Sequence, residues 1–235
     1  MLFWRRIVLL GSGIAAALTI LPGASGADVE PLKKGDRIVF LGDSITQAGA
    51  EAKGYVTLVK NELADKHKDL DIKVIGAGIS GNKVPDLQRR LDRDVLAKKP
   101  TIVVIYIGIN DVWHGETDPA RGTPKDKFEA GLKEIIGKIK GAGARVILCT
   151  PSVIGEKSDG SNKLDARLDE YADISRGVAR QEKVQLCDLR KAFVDYLKKN
   201  NPENKGRGVL TTDGVHLNEA GNRFVADVML KALGE

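Results

Sequence analysis

The chain has 235 residues, 42% of them hydrophobic and 5% aromatic, a length and composition that suit one globular domain with a sizeable core. Its formal net charge is +5, but the basic residues are dispersed among acidic ones, and aromatic residues are too few to form a platform for stacking bases. The sequence therefore argues against a nucleic-acid partner, and it contains neither an internal repeat nor a low-complexity segment.

The N-terminal residues have the three-part pattern of a secretory signal. Two arginines precede an apolar run at residues 7–21, and small residues follow it. We predict a signal peptide over residues 1–27, cleaved after Gly26 or Ala27, with an uncleaved anchor as the alternative. The apolar run is short for a membrane span. We therefore expect an exported protein, periplasmic or secreted, whose single mature domain, residues 28–235, does not insert stably into a membrane.

Strand-like and helix-like segments alternate along the rest of the chain. Short apolar runs rich in β-branched residues predict five strands, at residues 37–41, 72–78, 101–108, 145–150 and 184–189. Apolar residues at helical spacing predict helices at residues 55–67, 86–96, 127–143, 164–182, 191–199 and 218–233. The run at 101–108 is continuously apolar, as is typical of a strand buried on both faces.

Five repeats of strand followed by helix predict a parallel sheet covered by helices on both faces. Right-handed crossovers make a doubly wound strand order of 2-1-3-4-5 the natural candidate. We therefore predict an α/β protein with a three-layer, flavodoxin-like fold. In such sheets ligands bind beyond the carboxyl ends of the strands, near the switch point between strands 1 and 3.

Polar residues follow the carboxyl ends of the predicted strands, and their types suit acyl transfer. Ser44 is a candidate nucleophile, but a serine hydroxyl needs a base, which the imidazole of His216 can supply. Asp213, three residues earlier, can bind the other ring nitrogen and fix the tautomer. The backbone N–H groups of Ser44 and Gly81 and the side-chain amide of Asn110 are candidate donors to an oxyanion.

Four short blocks contain these residues, and they are "GDSI" at 42–45, "GISGN" at 78–82, "GIND" at 108–111 and "DGVH" at 213–216. In order and spacing they resemble the four blocks of the GDSL esterases, also called SGNH hydrolases. The resemblance implies a three-layer fold and no cofactor. It also implies that Ser44 is the nucleophile, that His216 is the base with Asp213 as its partner, and that Gly81 and Asn110 complete the oxyanion hole.

Each of these residues also has a plainer interpretation. Ser44 could be only a helix cap, and His216 only a surface histidine in a turn, but the joint presence of four blocks favours the catalytic interpretation. His114 is a rival base without the orienting partner that Asp213 gives His216. We expect His114 and Trp113 to lie at the rim of the cleft and to contact substrate, with a packing role as the alternative.

Cysteine and histidine are sparse in this sequence. Cys149 and Cys187 end two strands that should be neighbours, and either a disulfide or a pair of buried thiols is compatible with this placement. The three histidines are scattered without the spacing of metal ligands, so we expect no metal site.

Together these features predict an exported serine esterase that hydrolyses short-chain acyl esters through an acyl-enzyme on Ser44. The substrate would be a small-molecule or polysaccharide ester. The export signal, the lack of an evident hydrophobic lid and the polar loop at 151–163 make acetyl groups on a polysaccharide a candidate. A lysophospholipase or acyl-thioesterase of the same family is an alternative, which a wide apolar groove beside Ser44 would favour. A non-catalytic glycan-binding module is another.

Overall fold

The computed structural model describes residue 1 and residues 30–235, so the predicted signal peptide at 1–27 lies, apart from its first residue, outside the described residues. The described chain is built around a five-stranded parallel sheet of order β2-β1-β3-β4-β5. The strands are β1 (Arg37–Gly42), β2 (Lys73–Gly78), β3 (Ile102–Tyr106), β4 (Arg145–Cys149) and β5 (Gln185–Cys187). The predicted strand order and parallel direction are confirmed.

Helices cover both faces of the sheet, as predicted. In one layer α2 packs on α8, and in the other α3, α5 and α6 pack side by side. The helices are α1 (Ser44–Gly49), α2 (Tyr55–Lys66), α3 (Val84–Asp94), α4 (Ile109–Trp113), α5 (Lys125–Gly141), α6 (Asp165–Gln181), α7 (Leu189–Asn200) and α8 (Glu219–Leu233). Among residues 30–235, none of them has the length and apolar character needed to cross a bilayer.

The strand predicted over 101–108 is too long at its carboxyl end. The structure ends β3 at Tyr106, and the chain turns at Gly108, whose φ of +125° suits a residue without a Cβ. The helix α4, which was not predicted, begins at the next residue. All of β3 is buried, which confirms the prediction of a strand covered on both faces.

Each strand is preceded, two or three residues earlier, by a residue in the left-handed region. These residues are Gly35 (φ 80°), Asp71 (φ 48°), Lys99 (φ 52°), Gly143 (φ 84°) and Lys183 (φ 54°). Such residues reverse the chain in a tight turn, so that it can re-enter the sheet. A short turn therefore leads into the amino end of each strand, whereas the segments after the carboxyl ends carry the predicted site residues.

The two cysteines are buried free thiols at the carboxyl ends of neighbouring strands. Cys149 of β4 is paired in register with Cys187 of β5. Each sulfur lies 3.9 Å from Sδ of Met229 in α8. Of the two alternatives that the sequence left open, the structure therefore has the thiols, which pack as part of the core.

Candidate active site

Ser44 is the first residue of α1, directly beyond the carboxyl end of β1. Asp43 precedes it as the N-cap, and its Oδ1 accepts a hydrogen bond of 2.9 Å from the N–H of Ile45. The hydroxyl of Ser44 therefore does not cap the helix and is available for another partner. The turn is tight, because a Cβ added at Gly42 would lie 2.1 Å from Oγ1 of Thr46.

Asp213 and His216 form a hydrogen-bonded pair that reaches the serine. Oδ1 of Asp213 accepts from the N–H groups of Val215 and His216 at 2.9 Å and 2.8 Å, and Oδ2 lies 2.7 Å from Nδ1 of His216. Nε2 of His216 lies 2.9 Å from Oγ of Ser44. Burial acts to raise the pKa of Asp213, but the hydrogen bonds from His216 and Val215, together with the charge of His216, outweigh it and the pKa is lowered. Asp213 is thus held as a carboxylate beside the imidazole.

The three predicted oxyanion donors belong to segments that follow the carboxyl ends of β1, β2 and β3. Within residues 30–235, the backbone N–H groups of Ser44 and Gly81 make no hydrogen bond to another residue. Gly81 has a φ of +75° and open space around its Cβ position, so the backbone conformation accounts for the glycine. The third donor, Nδ2 of the buried Asn110, donates to the carbonyl of Asn82 at 3.0 Å and approaches Oδ2 of Asp43 at 3.5 Å.

Two buried carboxyl groups lie beneath these donors, and both are harder to ionise than usual. Burial raises the pKa of Asp43 to about 7; the hydrogen bond from Ile45 and the nearby His216 oppose this rise, and the neighbouring Asp111 adds to it. Burial also raises the pKa of Asp111 to about 6, although its Oδ1 accepts a hydrogen bond of 3.0 Å from the N–H of Val84. Both carboxyl groups therefore titrate near neutral pH.

Trp113 and His114, the predicted substrate contacts, lie at the carboxyl end of α4. The side chain of Trp113 is 39% exposed, which is unusual for a large apolar residue in this protein. Burial lowers the pKa of His114, and the positive charges of Lys83 and Arg121 lower it further. Of the two rival bases it is His216, not His114, that bonds the serine hydroxyl.

A buried glutamate, which the sequence did not single out, holds the loop that carries the aspartate and the histidine. The carboxylate of Glu156 is fully buried and accepts three backbone hydrogen bonds of 2.6–2.7 Å, from the N–H groups of Val209, Leu210 and Thr211. Such charge-assisted bonds are stronger than neutral ones. The loop is therefore fixed in place from below, close to the residues that bond Ser44.

These groups together can carry out nucleophilic substitution at an acyl carbon: a hydroxyl nucleophile, a base oriented by a carboxylate, and N–H donors for a developing oxyanion. Among the residues that the structure describes, no three His, Cys, Asp or Glu side chains gather in a way that could hold a metal ion. The fold and the site define the class of serine hydrolases.

Comparison with known proteins identifies the family within that class. The model of the GDSL-like lipase/acylhydrolase family matches residues 40–224, and the chain belongs to this family. The chain is 33% identical over 215 residues to an acetylxylan esterase from Geobacillus stearothermophilus, with 85% of this chain and 94% of the relative covered. It is 27% identical to the isoamyl acetate-hydrolyzing esterase 1 homolog of Rattus norvegicus, with coverages of 80% and 78%.

The chain is also similar to a solved structure of an esterase. The crystal structure of an acetyl xylan esterase has 49% sequence identity and a TM-score of 0.81, and the match covers 84% of this chain and 99% of the other. The predicted family is thus confirmed, and the protein is an esterase that hydrolyses carboxylic ester bonds.

Proposed function

We propose that the protein is an exported esterase that removes acetyl groups from a polysaccharide through an acyl-enzyme on Ser44. The single observation that carries this proposal is the hydrogen-bonded series from Asp213 through His216 to Ser44, with two open backbone N–H groups beside it. Export rests on the pattern of residues 1–27.

In the first half of the reaction, Oγ of Ser44 attacks the ester carbonyl carbon and its proton passes to Nε2 of His216. Asp213, which accepts the Nδ1–H of the ring, stabilises the imidazolium that forms. The N–H groups of Ser44 and Gly81 and the amide of Asn110 bind the oxyanion. When the carbonyl re-forms, the bond to the alcohol breaks, and the alcohol oxygen takes the proton from His216.

In the second half, water attacks the acyl carbon and gives a proton to His216. The oxyanion forms again in the same hole, and its collapse breaks the bond to Oγ of Ser44. The proton on His216 returns to Oγ, and the free acid leaves. Removal of one oxyanion donor typically costs about 10²–10³ in kcat.

The choice of an acetylated polysaccharide is supported by three observations. Two of the similar proteins named above are acetyl xylan esterases. The half-exposed indole of Trp113 offers a flat apolar face of the kind that can pack on a sugar ring, and His114 beside it can supply a hydrogen bond. The loop at 151–163 is polar rather than apolar.

A second candidate, hydrolysis of longer acyl esters or thioesters, is favoured by one observation. Apart from Met1, the exposed large hydrophobic residues in the described chain are Ile79 and Trp113. They follow the carboxyl ends of β2 and β3, on the segments that also carry two of the oxyanion donors. An apolar acyl chain between them would remove both side chains from water.

The test measures release of p-nitrophenol from acetate, butyrate and octanoate esters, and release of acetate from acetylated xylan. We expect acetate esters to be turned over fastest, with a pre-steady-state burst of p-nitrophenol where deacylation is slower than acylation. Ser44→Ala should lower kcat by at least about 10⁴-fold. Ser175→Ala is the matched control, because that buried serine bonds only the carbonyl of Tyr171 within α6.

The outcomes separate the candidates. Preference for octanoate would replace the deacetylase proposal by the second candidate. Activity retained in Ser44→Ala would contradict the acyl-enzyme mechanism. Binding of xylan by a protein with no turnover on any ester would favour the glycan-binding module instead.

A further inference from the structure

Arg90, in the middle of α3, is buried, although its side chain carries a charge. Only 6% of the residue is exposed. Its guanidinium donates from Nη2 to the carbonyl of Gly42 at 2.7 Å, from Nη1 to the carbonyl of Ala77 at 2.9 Å, and from Nε to Oδ1 of Asn82 at 2.7 Å. A further bond of 3.2 Å reaches the carboxylate of Asp94. Three of the four acceptors are therefore neutral oxygens.

These three acceptors belong to the segments that carry the proposed oxyanion donors. Gly42 ends β1 two residues before Ser44, and Ala77 lies near the end of β2. Asn82 follows Gly81 directly, so the guanidinium holds the side chain of the residue next to that donor.

The third oxyanion donor is linked to the same group through one intermediate. The backbone carbonyl of Asn82 accepts the 3.0 Å hydrogen bond that orients Nδ2 of Asn110. Arg90, by holding the side chain of Asn82, therefore helps to fix the acceptor on which the Asn110 amide rests. All three donors are connected to one planar, rigid guanidinium.

The charge of Arg90 costs free energy where it lies. Burial lowers the pKa of Arg90, although the hydrogen bond that its guanidinium donates to Asp94 opposes this. Asp94 is shared with the exposed Arg93, which binds it through two further hydrogen bonds. Well-packed apolar side chains often stabilise a fold as well as a buried ion does. The burial of this cation is therefore not accounted for by stability alone.

We propose that Arg90 is a positioning residue for the oxyanion hole, one that sets the relative placement of the donors on the loops after β1, β2 and β3. The inference rests on the proposed esterase mechanism. Removing the guanidinium lets the three segments shift independently, and a misplacement of about 1 Å lowers catalysis about 10²-fold. Substrate binding in the ground state is not affected to the same degree.

The experiment compares Arg90→Met and Arg90→Lys with the wild-type protein. Turnover of p-nitrophenyl acetate gives kcat and KM, and inhibition by a small alkylboronic acid, which forms a tetrahedral adduct on a nucleophilic serine, gives Ki. For Arg90→Met we expect kcat to fall about 10²-fold with KM changed less than about 3-fold, and Ki to rise in parallel with the loss of kcat. Arg90→Lys keeps the positive charge but not the planar set of N–H donors, so it should recover only part of the lost kcat.

The matched control is Arg190→Met. Arg190 is 4% exposed and makes a comparable set of bonds, to Asp169, Asp165 and the carbonyl of Ser152, but it touches none of the oxyanion segments. Its replacement should cost stability without the rise in Ki. The pH at the midpoint of the kcat/KM profile should be unchanged in both arginine variants, because neither alters the aspartate–histidine pair.

Two results would overturn the inference. One is a folded Arg90→Met protein with wild-type kcat and Ki. The other is a loss of kcat without a rise in Ki, or one that the fraction of unfolded protein explains, as judged by circular dichroism and urea midpoints. Should Arg90→Met not fold, a folded Arg90→Lys protein with wild-type Ki would have the same meaning. Failure of the esterase mechanism itself would appear differently, as activity that survives Ser44→Ala.

Discussion

Replacing Asp43 by asparagine should make the stability of the protein less dependent on pH and higher above neutral pH. Burial raises the pKa of Asp43 from 3.8 to about 7. The folded state therefore keeps a proton that the unfolded chain releases. The contribution of Asp43 to the free energy of unfolding is fully present below about pH 4. It is lost progressively as the pH rises to about 7 and stays low above that value.

The size of the effect follows from the two pKa values. A difference of about three pH units between the folded and unfolded states corresponds to about 4 kcal/mol, at about 1.4 kcal/mol per unit. Asparagine removes the charge but keeps an oxygen that can accept the 2.9 Å hydrogen bond from Ile45. The neighbouring Asp111, with its pKa raised to about 6, contributes a smaller pH dependence of the same sign.

The assay is urea unfolding at pH 5, 6, 7 and 8 with the wild type, Asp43→Asn and Asp159→Asn. Asp159 is an exposed carboxylate whose pKa is lowered by hydrogen bonds from Ser161. The unfolding free energy of the wild type should fall across this range, that of Asp43→Asn should fall much less, and that of Asp159→Asn should follow the wild type. Equal pH slopes in Asp43→Asn and the wild type would refute the argument from burial.

Three further predictions concern single features of the fold. Gly81→Ala should lower the free energy of unfolding by about 1–2 kcal/mol because of the positive φ at this position, and it should also lower kcat. Gly35 has equally open surroundings and a φ of +80°, so Gly35→Ala should lower the free energy of unfolding in urea by a similar amount and leave kcat unchanged. Glu156→Gln places a side-chain amide against three backbone N–H donors and should lower the free energy of unfolding in urea by about 3 kcal/mol. An unchanged urea midpoint would contradict the role of the Glu156 charge. Cys149 and Cys187 should not react with Ellman's reagent in the native protein, because both are buried and burial raises the pKa of the Cys149 thiol. Both thiols should react in urea, and the absence of any reaction in urea would indicate a disulfide.

The fold could be predicted because the spacing of apolar residues identifies each strand and helix from its own segment. Few sheet topologies are compatible with strands and helices that alternate in this order. The predicted helix at 55–67 and the observed α2 (Tyr55–Lys66) differ by one residue. The helix α4 (Ile109–Trp113) was missed because five residues are too few to show a helical period, and because the apolar run before it continues past the true end of β3.

The candidate site could be predicted only in its outer part. Ser44, Asp213 and His216 lie in short blocks whose residue types have few other uses together. Arg90 and Glu156 lie in charged stretches that resemble solvated surface, and their burial depends on partners distant in sequence. The acceptors and donors that they bind, such as Gly42 and Thr211, are backbone groups, which leave no trace in side-chain composition.

The left-handed turns before the five strands all lie at the opposite end of the sheet from Ser44. Glu235 is on that side too, where its side-chain carboxylate lies 2.7 Å from Nε2 of His67 at the end of α2. Engineering can therefore treat the two ends of the molecule separately. A fusion partner or a solid support attached after Glu235 would leave Ser44 at the opposite, free end of the sheet.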